Sequence, residues 1–278
     1  MPPHDHNSVP APALRALRIG DVKAGLAPKR LGTRFHYIRE LDSTNNYARS
    51  LAEQGAAEGT IVIAEQQTQG RGRLGRRWVS PPFANLYCSI ILRPTSLPVN
   101  APLITLTAAV ALADAVGSFS PVAPAIKWPN DILAGGRKLA GVLTEAVSDS
   151  RKIEFVIVGI GVNVNFALES MPPEIRERAT SLSVLTGRSV SREALLRRLI
   201  QDLDRCYGIL EENGFAAIRP RWDARFGLRG QRVRVETTDQ TITGRAIGIE
   251  PDGALLIEAP GGTQRILAGD VIPVEEEI

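Results

Sequence analysis

Long apolar stretches are missing from this 278-residue chain. No run approaches the roughly 18 residues that a bilayer-spanning helix needs, and the first residues, MPPHDHNSVPAPALRALR, have neither the continuous apolar core nor the cleavage signal of a secretory leader. A cytoplasmic protein with no membrane partner is therefore expected. Cysteine is nearly absent: Cys88 and Cys206 stand far apart among apolar residues, which excludes a disulfide framework and predicts buried free thiols. Histidine is scarce as well. His4 and His6 share a tail rich in Pro and Ala and do not make a closed metal site, so no protein-built metal centre is expected. The phosphate-binding pattern G-x-x-x-x-G-K-[S/T] occurs nowhere in the chain. Net charge is only +3 although the pI is about 9.1, so basic behaviour must come from local clustering, which the four arginines at Arg71, Arg73, Arg76 and Arg77 supply.

What is present has the composition of a globular chain, 44% hydrophobic and 23% charged, long enough for one large domain or two. Residues 1–30 read as a mobile arm with at most a short helical stretch over 13–19. Ser43 or Thr44 can then cap a helix through Tyr47, Ala48 and Leu51, stopped by a left-handed Gly55. Residues 60–64 (TIVIA) and 85–92 (NLYCSIIL) read as strands on either side of a Gly/Arg loop. A helix is predicted over 103–116, a hairpin over 139–147 and 153–164, and a long amphipathic helix from a Ser191 cap to Gly214. After about Arg229 the texture becomes short strands and tight turns. The expected architecture is α+β: a mixed-sheet domain over 31–225, then a small β-barrel over 229–278.

Three constellations carry chemistry. The loop over 70–78 (GRGRLGRRW) lets backbone N–H groups approach a ligand while arginines offer rigid forks for carboxylate or phosphate. Gly70, Gly72 and Gly75 match G-x-G-x-x-G, but the sequence WVSPPF that follows prevents the helix a dinucleotide site requires. An arginine-rich nucleic-acid contact is an alternative, without an aromatic stacking platform. Lys127-Trp128-Pro129-Asn130-Asp131, followed by Lys138 and Gly141, puts two lysines and a carboxylate around one turn; plain surface charges on a hairpin are the alternative. Gly141 interrupts a strand, where glycine marks close approach of a ligand or backbone. Gly159-Ile-Gly161-Val-Asn163 ends an apolar strand in small and polar residues, as at a ligand face or an ordinary turn. Ser43-Thr44-Asn45 serves locally as a helix cap.

Taken in order, Ser43-Thr44-Asn45, EQQTQGRGRLGRRW over 65–78, Asn85-Leu86-Tyr87, KWPND over 127–131, RKLAG over 137–141 and Gly159 to Asn163 resemble the biotin protein ligase family. The resemblance is close over about 35–165 and extends to the C-terminal module in layout only. It implies a catalytic domain similar to that of lipoate ligases joined to an SH3-like barrel, with biotin, ATP and Mg2+ as ligands and the lysine of a biotin carboxyl carrier protein as acceptor. Biotin carboxylate would attack the α-phosphate to give biotinyl-AMP and pyrophosphate, and the lysine amine would then take the biotinyl group. By resemblance Ser43, Thr44 and Gln67 hold the biotin ureido ring, Asn45 is a further ligand-binding position, and Gly70, Arg71, Gly72 and Arg73 cover the carboxylate. Trp78 and Trp128 would shape the site or pack the adenine, Asn163 would help bind the nucleotide or metal, and Asn130 and Gly141 are further ligand-binding positions. Arg71, Lys127 and above all Lys138 are the expected catalytic cations, since like charges brought together must be offset. Asp131 is expected to steer the incoming amine. Some members carry an N-terminal winged helix, but about 30 residues are too few for one, so sequence-specific DNA binding is not expected; a homodimer is compatible with the sequence. A lipoate ligase, and a non-catalytic nucleic-acid module built on the arginine loop, are the rival readings.

Overall fold

The computed structural model describes residues 14–95, 100–149 and 151–274. A short helix α1 (Ile19–Lys23) is followed by β1 (Arg34–Leu41), α2 (Thr44–Glu53), β2 (Thr60–Gln67), β3 (Leu86–Leu92) and α3 (Ala101–Gly117). Two short strands, β4 (Ala125–Lys127) and β5 (Asp131–Ala134), precede the long hairpin of β6 (Arg137–Ser148) and β7 (Ile153–Val162). After α4 (Pro173–Arg176) and α5 (Leu182–Thr186), α6 (Arg192–Asn213) crosses the molecule and α7 (Arg219–Asp223) closes this part of the chain. These strands form one mixed sheet in the order β1-β2-β3-β7-β6-β5-β4, parallel between β1 and β2 and antiparallel elsewhere.

Strand alternation decides which side chains meet which layer. From β2, Ile61 and Ile63 enter the main core with Leu86, Cys88 and Ile90 of β3, under α3 and α6. Their alternates Val62 and Ile91 face the other way, against Ala48 and Ala52 of α2. Covered on both faces, β3 is buried along its whole length. Ser191 caps α6 by accepting from Ala194 N–H, and Gly214 ends it at φ 72°. Gly55, at φ 86°, follows α2 as the sequence predicts. Both cysteines are free and buried, and burial pushes the Cys88 thiol up to about 12.

A second, five-stranded antiparallel sheet comprises β8 (Arg232–Glu236), β9 (Thr241–Ile249), β10 (Leu255–Ala259), β11 (Gly262–Ile266) and β12 (Asp270–Pro273), in the order β11-β10-β9-β8-β12. It is tied to the first domain where Trp128 Nε1 donates to Gly253 O at 3.0 Å. The α+β architecture, with a mixed sheet followed by a small β unit, is thus as expected. No helix among the described residues is long and apolar enough to cross a membrane.

The mobile arm over 1–30 needs correction. Residues 1–13 lie outside the described residues, but 14–31 are docked. Leu17, Val22 and Leu31 are buried, each contributing about 1.5–3 kcal/mol by leaving water. Leu17 N–H donates to the buried carboxylate of Glu65 at 2.6 Å, Arg15 pairs with Glu193 at 2.7 Å, and the N–H groups of Lys29, Arg30 and Leu31 converge on Asp204 of α6. The helical turn falls at Ile19–Lys23 rather than 13–19. Glu65, Glu193 and Asp204 lie between 48 and 178 residues downstream of the groups they hold, so no local pattern announces them.

Candidate active site

Where α2 begins, the chain forms a polar floor. Ser43 occupies the N-cap position, yet its side chain makes no cap bond; Ser43, Thr44 and Asn45 are all buried. Capping therefore does not account for the side chains. Thr44 donates twice to Gln67 Oε1, from its N–H at 2.9 Å and its hydroxyl at 3.0 Å, and Gln67 Nε2 donates to Ser80 Oγ at 3.1 Å. Below them Ser89 Oγ lies 2.8 Å from Thr44 Oγ1 and 2.7 Å from Asn45 Oδ1. The large majority of buried polar groups are paired, and the network of Thr44, Asn45, Gln67 and Ser89 is paired while Ser43, Thr44, Asn45 and Gln67 stay on a cavity wall.

The arginine loop folds over that floor as a narrow flap. Its base closes where Trp78 N–H donates to Gly70 O at 2.9 Å, and its tip is a single turn over Arg73–Gly75 with Leu74 at φ 55° and 68% exposed. No helix follows, so the dinucleotide reading of Gly70, Gly72 and Gly75 fails. Arg71 reaches Asn46 Oδ1 at 2.7 Å and Glu145 Oε2 at 3.0 Å. Arg73 turns inward toward Asn130 Oδ1 at 3.4 Å; burial pushes its pKa down against the opposing pull of Asp131 and Asp270. Trp78 lays its ring against Gly161, where a Cβ would come within 2.6 Å of it. The Trp78 Nε1 atom is buried with no acceptor among the described residues.

The opposite wall comes from β4, β5 and β6. Lys138 Nζ pairs with Asp131 Oδ1 at 2.7 Å and sits 5.4 Å from the centre of the Trp78 ring. Asn130 Nδ2 donates to Val142 O at 2.6 Å while its amide oxygen faces Arg73, and Asn163 Nδ2 donates to Thr180 O at 3.0 Å. Lys127 is largely buried, and desolvation pushes its pKa down although Asp131 and Asp270 oppose the shift. Asp270 enters from β12 of the second domain. It accepts from Arg76 in a short hydrogen bond and lies 3.9 Å from Lys127. Burial pushes the Asp270 carboxyl up, but the Arg76 bond and the charges of Lys127, Arg76 and Arg73 outweigh it and hold the pKa below the ordinary carboxylate value.

Floor, flap and wall enclose one cavity of about 730 Å³, within the range of small-molecule sites. All residues expected at the site line it except Trp128 and Gly70, the latter closing the base of the flap instead. Surface charges on a hairpin therefore do not describe Lys127, Asp131 and Lys138. Trp128, whose motif suggested a second aromatic wall, is buried at the domain junction and does not line the cavity. The sequence reading missed Glu145, which grips both Arg71 and Asn45, and Asp270, Ile272, Glu177 and Arg178, which complete the lining. Only a cross-sheet register could have revealed Glu145; the others come from another domain and an irregular segment.

Comparison with known proteins agrees with this geometry. Residues 37–163 match the model of the biotin/lipoate A/B protein ligase family and residues 229–272 that of the biotin protein ligase C terminal domain. The chain is 35% identical over 251 residues to the bifunctional ligase/repressor BirA of Bacillus spizizenii, covering 90% of this chain and 77% of that protein. It is 38% identical over 239 residues to the biotin–[acetyl-CoA-carboxylase] ligase of Paracoccus denitrificans, covering 84% of this chain and 98% of that one. The solved biotin protein ligase of Aquifex aeolicus in complex with biotin and ATP superposes with a TM-score of 0.74 at 30% identity, over 87% of this chain and 98% of that one. With both domains matched in order and the expected residues gathered around one cavity, this chain belongs to the biotin protein ligase family.

Proposed function

We infer that this protein is a biotin–[carboxyl carrier protein] ligase, forming biotinyl-AMP from biotin and ATP and passing the biotinyl group to a carrier lysine. The observation that carries the reading is the joining, in one cavity, of a paired polar floor at Thr44, Asn45 and Gln67 with a cationic roof and wall at Arg71, Arg73 and Lys138. A neutral hydrogen-bonding ring suits the first and converging anions suit the second. Biotin and ATP, the ligands of the Aquifex aeolicus structure, have these two characters.

In the first step a carboxylate oxygen attacks the α-phosphorus, the bond to the bridging oxygen breaks and pyrophosphate leaves. Lys138 carries the compact charge that follows this transfer, with Arg73 and Lys127 lining the same cavity. In the second step the neutral amine of the acceptor lysine attacks the acyl carbon, AMP departs and an amide forms with loss of one proton. Asp131 steers that amine and also pairs with Lys138 at 2.7 Å. Mg2+ would shield the triphosphate charge. Among the described residues no group of three or more His, Cys, Asp or Glu side chains gathers, which fits an ion that keeps phosphate and water ligands; Asn163 offers it an amide oxygen.

The test is intact-mass spectrometry of a purified carrier domain after incubation with the protein, Mg-ATP and biotin. One added biotinyl group, dependent on both ATP and biotin, is the expected result. Addition of lipoate in place of biotin would overturn the substrate assignment, and no addition with either would overturn the ligase reading.

A further inference from the structure

Ser89 interrupts the apolar run of β3 (LYCSIIL) with a fully buried hydroxyl. It lies opposite Gly159 of β7, and Asn45 of α2 fills the space that a Cβ on Gly159 would need. Its partners are two oxygens, Asn45 Oδ1 at 2.7 Å and Thr44 Oγ1 at 2.8 Å. The Asn45 amide is oriented by acceptors, since its Nδ2 donates to Leu143 O at 3.2 Å and to Glu145 Oε2 at 2.6 Å, so its Oδ1 is the atom that accepts from Ser89. One buried proton is thus shared between Asn45 and Thr44. Thr44 turns its own hydroxyl proton to Gln67 Oε1 at 3.0 Å, an oxygen that also takes the Thr44 N–H at 2.9 Å. A carboxamide oxygen accepts twice, and a hydroxyl has one proton and two acceptor positions. Gln67 Oε1 is therefore filled. The polar capacity that Thr44 and Gln67 keep for the cavity they line is one acceptor position on Thr44 Oγ1 and one N–H of Gln67 Nε2, whose other N–H goes to Ser80 Oγ.

We propose that Ser89, which does not itself line the cavity, is a specificity-determining positioning residue: its buried proton fixes the floor as one acceptor beside one donor, and so selects a ligand ring in which an N–H stands next to a C=O. The proposal rests on the biotin ligase reading and deepens it. The ureido ring of biotin has such an edge, and the dithiolane ring of lipoate has neither group. A site built to hydrogen-bond rejects a ligand that lacks the matching atoms, because its own polar groups are then left without partners. Burial alone does not call for the contact with Thr44, since Asn45 Oδ1 by itself would satisfy the Ser89 hydroxyl. Without the Ser89 proton, Thr44 can turn its hydroxyl hydrogen away from Gln67, Gln67 loses a donor that orients its amide, and the floor no longer shows a single pattern.

The test is titration calorimetry of the full-length protein with biotin and with its two lactam analogues, in each of which one ureido N–H is replaced by CH2. In wild type one of the two, the lactam lacking the N–H that faces Thr44, should bind about tenfold or more weakly than biotin. Ser89→Ala should weaken biotin about tenfold but that lactam by less than about twofold, a dependence on the ligand atom that a general loss of packing would not produce. In a pyrophosphate-release assay the KM for biotin should rise in parallel, with kcat and the KM for ATP changed by less than about twofold. Ser89→Cys, which keeps the shape and a weak donor, should fall between the two, and it carries the same comparison if Ser89→Ala does not fold. Equal losses for biotin and both lactams would show general disruption and overturn the proposal, as would unchanged biotin affinity. Wild type that binds biotin but releases no pyrophosphate would sink the ligase reading alone, with the calorimetry still deciding the role of Ser89; wild type that binds no biotin would overturn both.

Discussion

Lys138 illustrates how much a single side chain can owe to its surroundings. Asp131 and the face of Trp78 hold its ammonium, while its own backbone is fixed where its N–H donates to Arg178 O at 2.8 Å and its carbonyl accepts from Thr180 N–H at 2.9 Å. A charge held this way needs little reorganisation when an anion develops beside it. Lys138→Ala should therefore slow biotinyl-AMP formation by roughly 100- to 1000-fold, measured as pyrophosphate release at saturating biotin and ATP. Asp131→Asn should slow transfer from preformed biotinyl-AMP to the carrier by about tenfold or more; transfer at the wild-type rate would remove Asp131 from the second step.

At the level of elements, the β7 strand explains why the floor and the flap can approach the sheet so closely. Gly159 and Gly161 lie two residues apart on one face of it, the first receiving Asn45 and the second Trp78. Side chains at both points would hold off α2 and the flap together. Gly161→Ala should drive Trp78 outward, costing about 1–3 kcal/mol by overpacking as read from urea denaturation, and biotin affinity should fall with it. The sequence showed these glycines as a break in an apolar run, and Gly141 as another. It could not tell which of them faces an aromatic ring, because that depends on the register between β6 and β7 and on the flap's path. Likewise β1, whose side chains alternate weakly between exposed and half-buried, had no pattern to announce it at the sheet edge.

The molecule as a whole makes its site from two domains. Asp270 of the C-terminal sheet holds Arg76 of the flap and faces Lys127, so the small domain helps set the flap as well as cover the core at Trp128. Its carboxyl is held below its ordinary value in the folded protein. Such a group contributes stability above its unfolded pKa of about 3.9, and the contribution is lost as pH falls through the lower folded value. Wild type should accordingly be more stable than Asp270→Asn at pH 7, and the gap between their urea midpoints should shrink as pH is lowered past about 3.9. A gap unchanged across that range would mean that the Arg76 and Lys127 contacts contribute nothing to folding. The docked segment at 14–31 is a second long-range effect, fastened by Glu65, Glu193 and Asp204.

The sequence by itself determined the order of motifs, the two-domain layout, the strands and helices with strong periodicity, and all of the expected residues around the cavity but Gly70 and Trp128. It could do so because glycine, arginine and lysine have local chemical meanings that survive without coordinates, and because burial writes its period into each strand and helix. Only the tertiary structure decided that Glu145 grips Arg71 and Asn45, that Asp270 reaches in from the second domain, that Trp128 packs at a junction instead of lining the site, and that residues 14–31 are docked. The physical reason is common to all four. Each is a contact between residues far apart along the chain, set by register and domain placement, and a charged or aromatic side chain carries no local mark of which distant partner it will meet.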